Sequence, residues 1–272
     1  MNRLSLAPVT INEVDPPELI MAAAAAGFDA ADLRVLGAPG AAPVTPLIGN
    51  RPLIAAIAAA CADTGVALFA ATGLWLVPDF SLDAALPALE VAARLGAEQF
   101  LAVGNDPAEA RMGDNLARLA EAAAQFRLGI ALELMPYTAV NSVAKARRLV
   151  EGAGQPNLGL VIDTLHLARS GGTPADVAAL DPGRIAYLQL SDAPTQPQAS
   201  VSLREESLKS RLYPGEGELP LLALLDALPA DRVIDIETPV ARDRHLPPAE
   251  RASLALAATK RLLHAWIAQN HD

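Results

Sequence analysis

Several apolar runs in the second half of the chain end on side chains that bind metals or move protons. GIALELM carries Glu133, and LGLVIDTLH carries Asp163 with His166 three residues on. IAYLQLSDA carries Gln189 and Asp192, and RVIDIETP carries Asp235 and Glu237. An apolar run of this length bounded by polar residues reads as a strand buried on both faces. Glu133, Asp163, Gln189 and Glu237 would then supply three carboxylates and one amide oxygen. That donor set suits Mg²⁺ or Mn²⁺, which prefer oxygen ligands and keep positions open for water or substrate. A Zn²⁺ site more often uses His or Cys. Taken singly, each carboxylate can instead cap a strand or pair with an Arg.

Other residues suit a substrate. His166 lies just past its strand, as a neighbour of the metal ligands or as an acid/base that touches substrate. Arg211, in RLYPGEGELP, can clamp a hydroxyl, carboxylate or phosphate, or can be a solvated surface group. The glycines of PGEGE allow a tight return into the next helix. Trp75 and Tyr137, read as lying in loops after the third and fifth strands, can wall a sugar ring or fill packing gaps. Asn105–Asp106 is placed to position a helix. Arg111 reads as a helix-face residue, and His245 follows the eighth strand in a charged loop. His264 and His271 fall in the terminal helix and tail, on the surface.

The elements that would position these groups run through the chain as eight strand-then-helix units. The strands are expected at 4–10, 31–37, 66–77, 99–104, 129–135, 158–166, 185–193 and 232–238. The last helix runs from about Pro248 to Gln269. Such alternation implies a parallel sheet. Eight units without an internal linker favour a single-domain α/β chain over 1–272, closed as a (β/α)₈ TIM barrel; about 250 residues is typical. Barrel enzymes place their chemistry at the carboxyl ends of the strands, where these donors fall. Side-chain alternation puts Glu133 on the face of Ala131 and Gly129, and Glu237 on that of Asp235 and Val233. No G-x-G-x-x-G follows the first strand, against a dinucleotide fold. The polar join from Pro194 to Gly217 is long enough to serve as a lid over the site.

The bulk properties agree. Apolar residues make up 52% of 272, enough for a large core, and Ala predominates. A net charge of −10 without a basic run disfavours nucleic acid. No apolar run approaches the roughly 18 residues of a membrane span. The opening MNRLSLAPVT lacks the apolar centre of a signal peptide, so a cytoplasmic protein is expected. Cys61 is the sole cysteine, which excludes an internal disulfide, and reads as a small buried thiol.

At these residues the chain resembles the xylose-isomerase-like TIM barrel superfamily, the sugar phosphate isomerase/epimerase group. The likeness rests on Glu133 in strand five, D-x-x-H at Asp163–His166 and Q-x-x-D at Gln189–Asp192, where H-x-x-D is usual. It continues in the R-x-x-PGEGE return at Arg211 and in Glu237 on strand eight. It implies one divalent metal, Mn or Mg, with Zn or Co as substitutes, held by Glu133, Asp163, Gln189 and Glu237. Glu133 and Glu237 would move a proton α to a carbonyl that the metal polarises. His166 and Arg211 would contact substrate.

The departure is Gln189 in place of His, which a related group, the bacterial 3-dehydroshikimate dehydratases, shares. Strand three offers no Arg near its end, where that group's substrate carboxylate would bind. Endonuclease-IV-like members need more than four histidines and a DNA-binding face. Xylose isomerases need a Lys at a second metal site, and Lys145, Lys209 and Lys260 lie at no strand end. The leading expectation is a metal-dependent isomerase or epimerase of a small polyhydroxy carbonyl compound, with no nucleic-acid or membrane partner and self-association into a homo-oligomer left open. A dehydratase-like lyase and a ligand-binding barrel without turnover are the alternatives. Arginines facing the pocket discriminate between the two enzymes: a carboxylate-bearing substrate wants two, a neutral sugar few.

Overall fold

The computed structural model describes residues 2–39 and 44–270, so His271 lies outside the described residues. Eight parallel strands close into a barrel in chain order. They are β1 (Leu4–Leu6), β2 (Ala30–Arg34), β3 (Ala67–Leu76), β4 (Gln99–Gly104), β5 (Gly129–Glu133), β6 (Leu158–Asp163), β7 (Ile185–Leu190) and β8 (Ile234–Ile236). Pairing of Ser5 with Asp235 joins β1 to β8 and closes the ring. The fold is the single-domain (β/α)₈ barrel that the alternation of strands and helices predicts.

The helices carry their own start and stop signals. They are α1 (Pro16–Ala26), α2 (Arg51–Thr64), α3 (Leu82–Arg94), α4 (Glu109–Gln125) and α5 (Val143–Ala153), then α6 (Thr164–Arg169), α7 (Pro174–Ala178), α8 (Leu203–Lys209), α9 (Leu221–Asp226) and α10 (Pro248–Asn270). The side chains of Asn50, Ser81 and Ser142 accept from backbone N–H groups at the starts of α2, α3 and α5, satisfying donors that would otherwise be orphaned. Gly27 closes α1 in the left-handed region, at φ +91°.

Most of the core lies between barrel and helices; Leu89, Leu116, Ile57 and Ile130 are fully buried there. A smaller apolar plug fills the barrel itself, from Ala30, Phe69, Leu101, Ala131, Val161 and Tyr187. Fully burying one large aliphatic side chain contributes about 1.5–3 kcal/mol, so the outer shell carries most of the stability.

Three local readings are corrected. The first strand stops at Leu6, because the chain turns into a 3₁₀ segment at Pro8–Ile11, where Thr10 Oγ1 bonds the carbonyl of Ile236. Trp75 is not in a loop: β3 runs through it, and it pairs with Val103. The join from Pro194 to Gly217 contains α8, started by Ser202, whose hydroxyl accepts from Glu205 N–H. Its polar sequence hid the helix, because only one face of a lid meets protein.

Candidate functional site

Strand alternation aims the chemistry inward. Ala131 and Glu133 of β5, Val161 and Asp163 of β6, Tyr187 and Gln189 of β7, and Val233, Asp235 and Glu237 at β8 share the barrel interior, apolar below and polar at the mouth. Asp163 pairs laterally with Gln189, and Gln189 with Asp235, forming a polar band across three strands. Glu133, Asp163, Gln189 and Glu237 are all buried.

The D-x-x-H spacing is that of a helix start. Asp163 is the N-cap of α6, and its Oδ1 accepts from His166 N–H at 2.8 Å. This cap holds the imidazole over Glu133, with Nε2 3.7 Å from Glu133 Oε1. One donor atom each from Glu133, Asp163 and His166 lies within 4.8 Å of the others. His166 therefore joins Glu133 and Asp163 in a group of donors that could hold a metal ion, where the spacing alone left its part open. Tyr137 stacks edge-on against it, with ring centroids 5.6 Å apart.

Arg211 is not on the surface. It is buried, with NH1 donating to Asp163 Oδ2 at 2.6 Å and to Ser191 Oγ, and Nε donating to the carbonyl of Ser207. NH2 lies 3.3 Å from Glu237 Oε2. Arg211 thus ties Asp163 and Glu237 together while lining the cavity. Asp192 takes no part in the cluster. It accepts from Ala193, Gly215, Gly217 and Leu219 N–H groups, folding the PGEG return around one carboxylate. A Cβ on Gly217 would meet Asp192 Oδ1 at 2.4 Å.

The lid is shut. Arg169 of α6 pairs in two-pronged fashion with Glu206 of α8, at 2.9 and 2.7 Å. Ser207 shares a 2.9 Å hydrogen bond with the Tyr137 hydroxyl. Of the remaining sequence candidates, Asp106 accepts from Ala108 N–H and pairs with Arg111 at 2.6 Å, positioning α4. His245 and His264 are exposed.

Across the cavity the wall changes character. Val9, Leu36, Leu101, Val103 and Trp75 line it, and the arginines Arg34 and Arg204 face it. Among the described residues neither Arg34 nor Arg204 has an ion-pair partner. Arg34 ends β2 beside Thr72 of β3. The strand-three edge that lacks an arginine of its own therefore receives one from its neighbour. Sequence reasoning missed Arg34, Arg204, Ser207 and Asp32. The signal for two of them was in AADLR: alternation places Ala30, Asp32 and Arg34 on one face, and only an interior face would pair a small residue with charges in a buried strand.

Burial pushes the Glu133 carboxyl well above its usual range, and nearby Glu237 and Asp163 add to the rise. Burial likewise raises Glu237 to about 7 against the pull of Arg211. Burial also penalises charge on Asp163, but Arg211 and His166 outweigh it and hold that carboxyl low. His166 is lowered to about 4 by burial, so it is a neutral imidazole at pH 7, able to act as a ligand. With all three buried carboxylates ionised, as metal ligation requires, the one buried guanidinium would leave two formal charges unmatched, which is costly in a dry site. Gln189 Oε1 is buried without a hydrogen-bond partner. A divalent cation fits both features: it supplies the missing charge and takes an oxygen that nothing else takes.

The family model described as xylose isomerase-like TIM barrel matches residues 20–262. The chain belongs to that family. Within it, the 3-dehydroshikimate dehydratase of Pseudomonas aeruginosa is 34% identical over 137 residues, 48% of this chain and 21% of the relative. The same-named protein of Pseudomonas putida is 27% identical over 225 residues, 77% of this chain and 33% of the relative. The barrel thus spans a third or less of the length of these dehydratases. Inosose isomerase of Halalkalibacterium halodurans is 30% identical over 115 residues, 42% of this chain and 39% of the relative. Among solved structures, the IOLI protein with a zinc atom superposes with a TM-score of 0.80 at 19% identity, covering 97% of this chain and 99% of that one. That likeness is one of fold. No described helix is long and apolar enough to cross a membrane.

Proposed function

We propose that the chain is a divalent-metal-dependent enzyme that removes a proton α to the carbonyl of a small hydroxylated ring compound carrying a carboxylate, and that it eliminates water from it. The observation that carries this reading is the pair Arg34 and Arg204, two cations that line the cavity without an ion-pair partner among the described residues, Arg34 being near enough to Glu237 to draw its carboxyl down. A neutral sugar has no use for two unmatched guanidiniums, whereas a carboxylate matches the fork of either one. The dehydratase relatives point the same way.

Glu133, Asp163, Gln189 and His166 would hold the metal, with Glu237 at its edge; the ion would polarise the substrate carbonyl and offset the charge that develops on its oxygen. Mn²⁺ and Mg²⁺ suit the oxygen donors, and His166 brings Zn²⁺ and Co²⁺ within range. Glu133 and Glu237 are the carboxylates that take the α-proton, since buried and crowded carboxylates are stronger bases than free ones. Arg211 keeps Asp163 and Glu237 aligned. Arg34 and Arg204 hold the substrate carboxylate, while Trp75 and Tyr137 wall the ring. The lid excludes water from the abstracted proton.

The same abstraction serves two outcomes. Loss of the β-hydroxyl with a proton, as water, gives an alkene. Return of the proton to the neighbouring carbon gives an isomer, and the inosose isomerase relatives support that second reading.

The test is to load the purified protein separately with Mn²⁺, Mg²⁺, Co²⁺ and Zn²⁺ and supply 3-dehydroshikimate or an inosose in D₂O. Formation of a conjugated, ultraviolet-absorbing product from the carboxylate substrate is expected. Deuterium incorporation into the inosose, with the carboxylate substrate untouched, would replace elimination by isomerisation. No exchange with either compound would leave a binding barrel.

A further inference from the structure

Beneath the acidic cluster lies a layer of buried polar groups that takes no part in the proposed proton transfer. Gln189 Nε2 donates to Asp235 Oδ2 at 3.2 Å. Asp235 is fully buried and lies beside Asp32 of β2, within hydrogen-bonding reach. Asp32 Oδ1 in turn accepts from Ser5 Oγ at 2.7 Å and from Ala70 N–H at 3.2 Å. The pairing of Gln189 with Asp235, and of Asp235 with Ser5, fixes these groups at one level of β7, β8 and β1.

A glutamine makes an unusual ligand because its two ends are nearly the same shape. Only the oxygen can bind a cation; the NH₂ carries two donors and repels it. A carboxylate has no such problem, since either oxygen serves. The chain must therefore decide which end of Gln189 faces the cavity. Asp235 is an acceptor on the far side from the cavity, and it takes the NH₂. The consequence is visible at the other end: Gln189 Oε1 is the atom left without a partner at the cavity wall.

We propose that Asp235, braced by Asp32, is a positioning residue that sets the Gln189 amide oxygen toward the metal cluster. Its carboxylate touches neither the ion nor the substrate; it acts through the amide. The arrangement explains why an acidic residue is kept fully buried directly beside Gln189 on the neighbouring strand. It also accounts for the brace, because Ser5 of β1 and the Ala70 amide of β3 anchor Asp32 from the two strands that flank β2. This role rests on the proposed metal site, which the test separates from it.

The test is a double-mutant cycle read by Mn²⁺ affinity, measured by calorimetry on metal-free full-length protein. The four proteins are wild type, Asp235→Val, Gln189→Glu and the double variant, each checked for fold by circular dichroism and melting. Removing a group that orients a ligand costs about 10–100-fold in metal affinity. Asp235→Val in the glutamine background is expected to show that loss, and Asp235→Asn, which keeps an acceptor oxygen, to recover most of it. In the Gln189→Glu background the same Asp235→Val change is expected to cost less than threefold, because a carboxylate needs no orientation. Equal losses in both backgrounds would overturn the proposal and leave Asp235 a packing residue. Wild-type protein that binds no divalent cation would instead sink the metal site itself. Should Asp235→Val fail to fold, Asp235→Asn against Asp235→Ala gives the same comparison.

Discussion

The two halves of the barrel mouth are built oppositely. Over β5 to β8 every interior strand end is acidic or amide, and all of these side chains are buried. Over β1 to β4 the cavity wall is largely apolar, with Val9, Leu36, Leu101 and Val103, and its charges are the cations Arg34 and, from α8, Arg204, neither in an ion pair among the described residues. One half concentrates negative charge around a place for a cation and a labile proton. The other offers a ring-sized apolar face with positive charge at its edge. The difference teaches a division of labour: the acidic half does chemistry that many relatives could share, and the cationic half selects the substrate.

The strongest way to break that division is at Glu133. Glu133→Gln keeps the shape but removes a base and a charge. General-base catalysis typically contributes 10²–10⁴-fold, so kcat is expected to fall by about that factor, with circular dichroism unchanged. If Arg34→Leu lowered kcat as far, the two halves would not be separable.

A second test concerns the buried layer beneath both halves, where Asp32 of β2 meets Asp235 of β8, in protein without metal. Burial raises the Asp32 carboxyl to about 7 from an ordinary value of 3.8. A folded-state pKa above the unfolded one gives stability that is present at low pH and lost as pH rises. The loss should begin near pH 4, where the unfolded chain ionises, and level off above about pH 7. Its size is on the order of a few kcal/mol. Melting in chelator is therefore expected to show lower stability at pH 8 than at pH 5. Asp32→Asn, which can keep the acceptor for Ser5, should flatten that slope and raise Tm at pH 8. An unchanged slope would mean that Asp32 is ionised throughout.

The halves also differ in how far they could be read from sequence. The acidic half was legible because its groups end long apolar runs: Glu133, Asp163, Gln189 and Glu237 all fall at strand ends, and the eight-unit barrel follows from the same runs. His166 was legible as a candidate but not as a cluster member, since only the cap on α6 shows which way its ring turns. Arg211 looked like a lid residue. Its burial depends on Asp163 and Ser191, distant in sequence and brought near only by the closed barrel. The cationic half was nearly silent. Arg34 sits in a short strand whose alternation marks it as interior, but its importance comes from Thr72 and the cavity beyond it, which that local pattern does not encode. Arg204 lies in a polar segment whose short helix, about two turns long, gives a weak periodic signal. Charge at the end of a buried run announces itself; charge that becomes special through a neighbour does not.

The cationic half is sharpened by Arg34→Leu. A hydrogen bond to a charged group contributes about 1.5–3 kcal/mol. KM for a carboxylate-bearing substrate should rise by about 10–100-fold with kcat little changed, the pattern of lost ground-state binding. An inosose, which carries no carboxylate, should be indifferent. Equal loss on both substrates would point to a wall that merely packs.

Arg204 offers the finest distinction, because it stands on the lid and is exposed, whereas Arg34 is partly buried at a strand end. Solvent screens an exposed charge, and such groups typically contribute about 0.2–1 kcal/mol. Arg204→Gln should therefore raise KM only a few-fold, and that increment should shrink between 0.05 and 0.5 M salt as the screening length falls. The Arg34→Leu effect should persist over the same range, since a partly buried charge is screened less. Parallel salt dependence of the two variants would place both arginines in one solvated patch. A larger effect for Arg204 than for Arg34 would move the recognition of the carboxylate from the barrel wall to the lid.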